Sequence, residues 1–128
     1  MITELERCLY QGFSHDIDEY MLQLKINKAE TSENSIYHRI MCDGIQVGFI
    51  LIIEGYIDSA YVTPTYRRRG LARQAINDIC DSGIIPARLH IIKTNKPAIA
   101  FWNSVFDLVS IDESFCDDLY CIRGRKNG

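Results

Sequence analysis

Arg67, Arg68 and Arg69 stand directly before Gly70 in the stretch VTPTYRRRGLARQA, and small and apolar residues follow at helical spacing. A helix that opens at Gly70 leaves its first N–H groups without intrahelical acceptors and puts the positive end of its dipole there. Such an end binds anions. Glycine lets a ligand approach the backbone with no Cβ in the way, and guanidinium groups add charge and donors matched to phosphate. The simplest ligand for that set is a pyrophosphate. The common triphosphate and dinucleotide fingerprints, G-x-x-x-x-G-K-[ST] and G-x-G-x-x-G, are both missing.

The elements that must position this turn follow from the hydrophobic period. Residues 2–11 and 16–26 mix apolar and charged positions in a way that permits two short helices. Asp16 is a plausible N-cap, with Glu19 as its capping-box partner. NKAETSENS reads as a loop. The runs Ile36–Cys42, Ile45–Ile53 and Tyr56–Val62 are separated by Asp43-Gly44 and Glu54-Gly55, which predicts three antiparallel strands joined by tight turns. FILII is apolar on both faces, so its strand is central and covered on both sides.

From Gly70 the period is helical. Leu71, Ala72, Ala75, Ile76, Ile79 and Cys80 form an apolar stripe that ends at Ser82-Gly83. ARLHIIKT predicts a strand. Asn95 to about Phe106 predicts a helix with Asn95 as a suitable cap and Pro97 in its first turn. LVSID and LYCIRG are two final strands joined by an acidic loop. The reading is a single α/β domain over residues 1–128, with a mixed, mostly antiparallel sheet and helices on both faces.

Composition narrows the function classes. At 128 residues with a 47% apolar fraction, the chain suits one domain with a real core. No apolar run approaches the roughly 18–20 residues a bilayer requires, and the start lacks a secretory signal pattern, so a cytoplasmic location is expected. Cys8, Cys42, Cys80, Cys116 and Cys121 are odd in number and form no C-x-x-C, so neither a disulfide framework nor a metal site is expected. The net charge of −3 argues against a nucleic-acid partner, because affinity for a polyanion needs several spaced cations. Acids outnumber bases over residues 1–34, and Asp112, Glu113, Asp117 and Asp118 form a second acidic cluster. Most such charges are solvated surface, though they would also favour a cationic substrate.

RRRGLA, that is Arg67-x-x-Gly70-x-Ala72, resembles the R/Q-x-x-G-x-G/A signature of the GCN5-related N-acetyltransferase (GNAT) family. YVTPTY before it resembles the strand end and loop that precede that signature. NKPAIAFWNSVF resembles the family's second signature, an Asn followed by a helix with Ala and an aromatic pair. The resemblance covers roughly residues 35–128. It implies acetyl-coenzyme A as co-substrate, lying between Tyr56–Val62 and Ala87–Thr94, which splay apart. The backbone N–H groups of Arg68, Arg69, Gly70, Leu71, Ala72 and Arg73 would cradle the pyrophosphate, with Arg67 beside them. Tyr61 and Val62 would pair with the pantetheine arm, and the N–H of Val62 would polarise the thioester carbonyl. Asn95, Ala98, Phe101 and Trp102 would line the other side.

An amine with a pKa near 10 must lose a proton before it attacks. Strict alternation along Tyr56–Val62 puts Tyr56, Asp58, Ala60 and Val62 on one face. Asp58 is therefore the first candidate base, Glu54 the second and His90 the third, although Asp58 also suits an ordinary strand surface and His90 a structural place. Where many family members have a Tyr that protonates the departing thiolate, this chain has Trp102. An indole N–H donates a hydrogen bond but does not deliver a proton as a phenol does. Tyr61, Tyr66 or Tyr120 could substitute, and a thiolate of pKa about 8.5 needs only modest help. Asp107 stands close to where the family often has Gly-Phe, and the usual first family strand is not evident. The expected activity is acetyl transfer to a primary amine of a small molecule or peptide, by direct attack. The alternatives are a GNAT-fold acyl-coenzyme A-binding or interaction module with little or no catalysis, and a phosphate patch built on Arg67–Arg69 and Arg73. The acceptor and the oligomeric state stay open.

Overall fold

The computed structural model describes residues 34–126, together with 23–24, 26–27 and 30–32. The helix expected over 2–11 and most of that over 16–26 lie outside the described residues. Residues 23–24, 26–27 and 30–31 are helical. Glu30 and Thr31 fall where the sequence predicts a loop. Their polar side chains belong to a helix surface, where Thr31 Oγ1 donates to the Asn27 carbonyl at 3.0 Å.

Six strands follow, β1 (Ser35–Cys42), β2 (Ile45–Ile53), β3 (Tyr56–Val62), β4 (Arg88–Ile92), β5 (Phe106–Glu113) and β6 (Asp117–Arg125). They form one sheet in the order β1-β2-β3-β4-β6-β5. Only the β3–β4 pair is parallel. The two N-terminal hairpins close as their sequences predict. Asp43 and Gly44 have φ of 53 and 80°, and Glu54 and Gly55 have 51 and 83°. A turn with two left-handed residues matches the twist of the strands it joins.

Helix α1 (Leu71–Asp81) and helix α2 (Lys96–Val105) pack on the same face of the sheet. Ala75, Ile76, Ile79 and Cys80 of α1 and Trp102 and Val105 of α2 meet Ile40, Val47, Ile50, Ile52, Ile57, Leu89, Ile91 and Ile122. On the other face Tyr37, Phe49, Leu51 and Ile53 enclose Ile26, which is fully buried. Strand β2 is thus covered on both sides, as its unbroken apolar run predicts. Burial of each such side chain stabilises by about 1.5–3 kcal/mol relative to exposure.

Strands β5 and β6 run two residues further back and one further on than LVSID and LYCIRG, and two other boundaries differ more tellingly. Strand β4 stops at Ile92 rather than Thr94, because the Lys93 N–H donates to the Cys116 carbonyl and the Asn95 N–H to Ile92, which turns the chain. Helix α2 ends at Val105, and Phe106, with φ of −124°, already belongs to β5.

Two departures from regular pairing bear on function. The β2–β3 register runs Leu51↔Ser59 and then Ile52↔Ile57, so Asp58 is an extra residue in β3. Gly48 lies flat against β3, and a Cβ there would stand 2.2 Å from the Tyr61 carbonyl oxygen and 3.0 Å from Val62 Cα.

Candidate functional site

The extra residue at Asp58 changes which side chains share a face. Strict alternation places Asp58 with Val62. In the structure Ile57 and Val62 both pack on the helix-bearing side, while Tyr61 packs against Phe49 on the other. Such a phase change over five residues requires the bulge. Asp58 instead sides with Ser59, whose hydroxyl donates to Asp58 Oδ2 at 2.9 Å. The partner strand sets this register, and no pattern within YIDSAYV shows it.

A bulge bends its strand and tightens the twist. Here β3 and β4 pair only at Tyr56↔Arg88 and Ile57↔Leu89 and then part. A cleft of about 310 Å³ opens between them, lined on one side by Asp58, Ser59, Ala60 and Tyr61 and on the other by His90, Ile92, Asn95, Ala98 and Trp102. The Thr63 N–H donates to the Val47 carbonyl, and the Tyr61 carbonyl also faces β2. Successive backbone groups of a strand point to opposite edges. The N–H of Val62 therefore points away from β2, toward the gap. The Val62 carbonyl on that edge accepts Arg67 Nε at 2.7 Å.

Beyond the cleft the chain makes a short 3₁₀ turn at Pro64–Tyr66 and reaches the arginines. Arg68 and Gly70 have φ of 65 and 76°, which turns the backbone left-handed on either side of Arg69. Turns of this kind gather successive N–H groups into a concavity for anions. The first helical bond of α1 runs from the Gln74 N–H to the Gly70 carbonyl at 3.0 Å. Among the described residues the N–H groups of 68–73 find no backbone acceptor. A Cβ built on Gly70 would meet nothing within 4 Å, so the space over the turn is open to a ligand. Arg67 lies over the Tyr61 ring at 5.5 Å and Arg69 over the Tyr66 ring at 5.0 Å. Arg73 is held elsewhere, with Nη2 donating to Ser104 Oγ at 2.7 Å, so it offers the turn its N–H rather than its guanidinium.

On the opposite wall Asn95 caps α2 by accepting from the Ala98 N–H at 3.2 Å, which leaves its amide NH₂ to donate. Trp102 is buried and stacked on Phe106, with centroids 5.9 Å apart, and Phe101 meets it edge-on at 4.9 Å. Tyr66 and Tyr120 do not line the cleft. Burial and the Asp118 carboxylate push the Tyr120 hydroxyl upward. Glu54 stays exposed in its hairpin turn, outside the lining. His90 lines the cleft, with Nδ1 3.4 Å from Asp117 Oδ2.

The model of the acetyltransferase (GNAT) family matches residues 1–106 of the chain. The chain belongs to the GNAT family. Solved structures of the same fold include the ribosomal-protein-S18-alanine N-acetyltransferase of Escherichia coli, at 16% identity over 99% of this chain and 93% of that one, with a TM-score of 0.72. NAA60 of Arabidopsis thaliana bound to a bisubstrate analogue shares 19% identity over 96% of both chains, with a TM-score of 0.63. The PaiA N-acetyltransferase of Thermoplasma acidophilum bound to coenzyme A shares 17% identity over 88% and 76% of the chains, with a TM-score of 0.57. No curated protein sequence matches significantly. Acetyl-coenzyme A is the co-substrate of GNAT enzymes, and NAA60 has also been crystallised with it. The open space over Gly70 and the acceptorless N–H groups of 68–73 fit its diphosphate. Cys42, Cys80, Cys116 and Cys121 are free thiols. No helix among the described residues is long and apolar enough to cross a membrane.

Proposed function

We propose that this GNAT protein is an N-acetyltransferase that moves the acetyl group of acetyl-coenzyme A to a primary amine of a small molecule or peptide, by direct attack in a ternary complex. One observation carries the reading. The strands part, and the same chain segment runs on from the cleft into a turn whose N–H groups have no backbone acceptor among the described residues, so a gap and an anion cradle follow one another along the chain.

The N–H groups from Arg68 to Arg73 hold the diphosphate, with Arg67 and Arg69 fixed above tyrosine rings at its margin. Tyr61, Val62, Asn95, Ala98, Phe101 and Trp102 flank the pantetheine arm. The Val62 N–H donates to the thioester carbonyl and stabilises the charge that develops on its oxygen; loss of one such donor typically costs about 10²–10³-fold in rate. Asp58 draws the ammonium form of the acceptor toward the gap. His90 takes the proton from the amine, because its ring lines the gap. Glu54 has no part in this scheme. Tyr61 is the one phenol among the lining residues, and it donates to the departing thiolate. Trp102 is committed to packing. The named acceptor of the E. coli neighbour is an alanine of ribosomal protein S18, which makes peptide amines the first to try.

The test is thermal melting with and without acetyl-coenzyme A, followed by thiol release across a panel of peptides, polyamines and aminoglycosides. A ligand at about 100 times its dissociation constant stabilises by about 2.7 kcal/mol. A melting shift with thiol release on at least one amine supports transfer. A shift without release on any amine points to the binding module instead, and absence of a shift removes the cradle.

A further inference from the structure

We infer that Asp117 is a positioning residue, which fixes the tautomer of His90 so that the nitrogen facing the cleft is the unprotonated one. The inference rests on the reading of His90 as proton acceptor. Leu89 and Ile91 point into the helix-bearing core, so His90 projects from the opposite face of β4. In the sheet order β4 lies between β3 and β6. The cleft is on the β3 side of the imidazole, and Asp117 of β6 is on the other, 3.4 Å from Nδ1. A proton on Nδ1 directed at Asp117 leaves Nε2 toward the cleft with a free lone pair. The separation is long for a hydrogen bond, and such contacts in free enzymes tighten when substrate fills the site.

The surroundings hold both partners in place. Ser114 Oγ donates to Asp117 Oδ1, the Asp117 N–H donates to Ser114 Oγ at 3.2 Å, and the Ser114 N–H donates to the Asp117 carbonyl at 2.9 Å. One carboxylate oxygen is thereby occupied and the other is left for His90. The Tyr56 ring stacks on the imidazole, with centroids 6.4 Å apart and planes 16° from parallel. Tyr56 is held in turn by Arg88, whose Nη1 donates to the phenol oxygen at 3.2 Å. The charged groups around His90 are thus Asp117 and Arg88, with Asp58 across the cleft. The imidazole, half exposed, stands between a carboxylate and a ring, which together favour one orientation of its nitrogens.

The decisive substitution is Asp117→Asn. The Ser114 hydroxyl reaches both Oδ1 and the Asp117 carbonyl, the latter at 2.8 Å, and with its proton on the side-chain oxygen the amide turns its NH₂ toward His90. An N–H donor facing Nδ1 forces the ring proton to Nε2. The readout is the long-range ¹H–¹⁵N spectrum of histidine-labelled full-length protein at a pH where imidazole is neutral, with His90 assigned through His90→Gln. The wild type is expected to show the Nδ1–H tautomer and Asp117→Asn the Nε2–H tautomer. With an amine that the wild type acetylates, kcat should fall by about 10–100-fold while KM for acetyl-coenzyme A is unchanged. Asp117→Glu should restore part of the rate. Ser114→Ala keeps the charge and loses the clamp; it should lower kcat by a smaller factor, and it serves if Asp117→Asn fails to fold. An Nε2–H tautomer in the wild type, a tautomer indifferent to Asp117→Asn, or an unchanged kcat would each overturn the inference. Failure of the underlying reading looks different: His90→Ala at the wild-type rate, or no amine acetylated at all, with the tautomer still set by Asp117.

Discussion

Gly48→Ala tests whether the geometry of β3 governs the chemistry. The added Cβ would lie 2.2 Å from the Tyr61 carbonyl oxygen, a contact that must widen to at least 3.0 Å. The obstacle is backbone, so no rotamer change relieves it and β3 must retreat by about 0.8 Å. Overpacking of this kind costs about 1–3 kcal/mol. For a domain of this length, 3 kcal/mol corresponds to a fall in Tm of about 10 °C. The segment displaced carries Tyr61 and Val62, and a misplacement of about 1 Å costs roughly 10²-fold in rate. The anion turn lies beyond this segment, so the melting shift on adding acetyl-coenzyme A should persist while kcat/KM collapses. Gly124→Ala is the control, because its Cβ meets nothing within 4 Å and its Tm should stay within about 2 °C of the wild type. A Gly48→Ala protein that melts with the wild type and turns over at the same rate would refute the reasoning.

Gly70→Asp should abolish the melting shift with acetyl-coenzyme A by placing a carboxylate over the cradle, whereas Gly70→Ala should keep it at a cost of about 1 kcal/mol for its positive φ; differential scanning with and without ligand separates the two. Asn95→Ala removes the bond to the Ala98 N–H and should lower stability by about 1 kcal/mol, read from denaturant midpoints. Burial lowers the His38 pKa from 6.5, against an opposing pull from Asp78, so the folded state favours the neutral ring. Stability from this group is complete above about pH 6.5 and is lost as pH falls through the lowered value. Tm measured from about pH 7.5 to about pH 5.5 should therefore drop less in His38→Gln than in the wild type.

Much of the fold is legible in the sequence because it is set by local chemistry. Asp43-Gly44 and Glu54-Gly55 mark turns that only left-handed residues can make, and the spacing from Leu71 to Cys80 describes α1 and its buried stripe. The turn into α1 is legible too, since a glycine and a helix start are neighbours in the chain. What escapes is set between strands. YIDSAYV alternates acceptably on its own, and only its pairing with β2 shows that Asp58 is supernumerary, which moves that carboxylate off the face of Val62. The Asp117–His90 contact joins residues on separate strands, and in the sequence Asp117 is one more acid in a cluster that reads as solvated surface. The end of α2 is hidden for a similar reason: Phe106 suits a helix and a strand equally, and its partner Arg125 decides.

The supernumerary Asp58 has a wider meaning. Without it, Ser59 would fall in register with His90 and Ala60 with Ile91, the positions at which the parallel pairing now stops. Every other side chain would keep the face it has now. The parting of β3 from β4 thus begins at the one residue of β3 that interrupts the register with β2 and follows the last pair with β4.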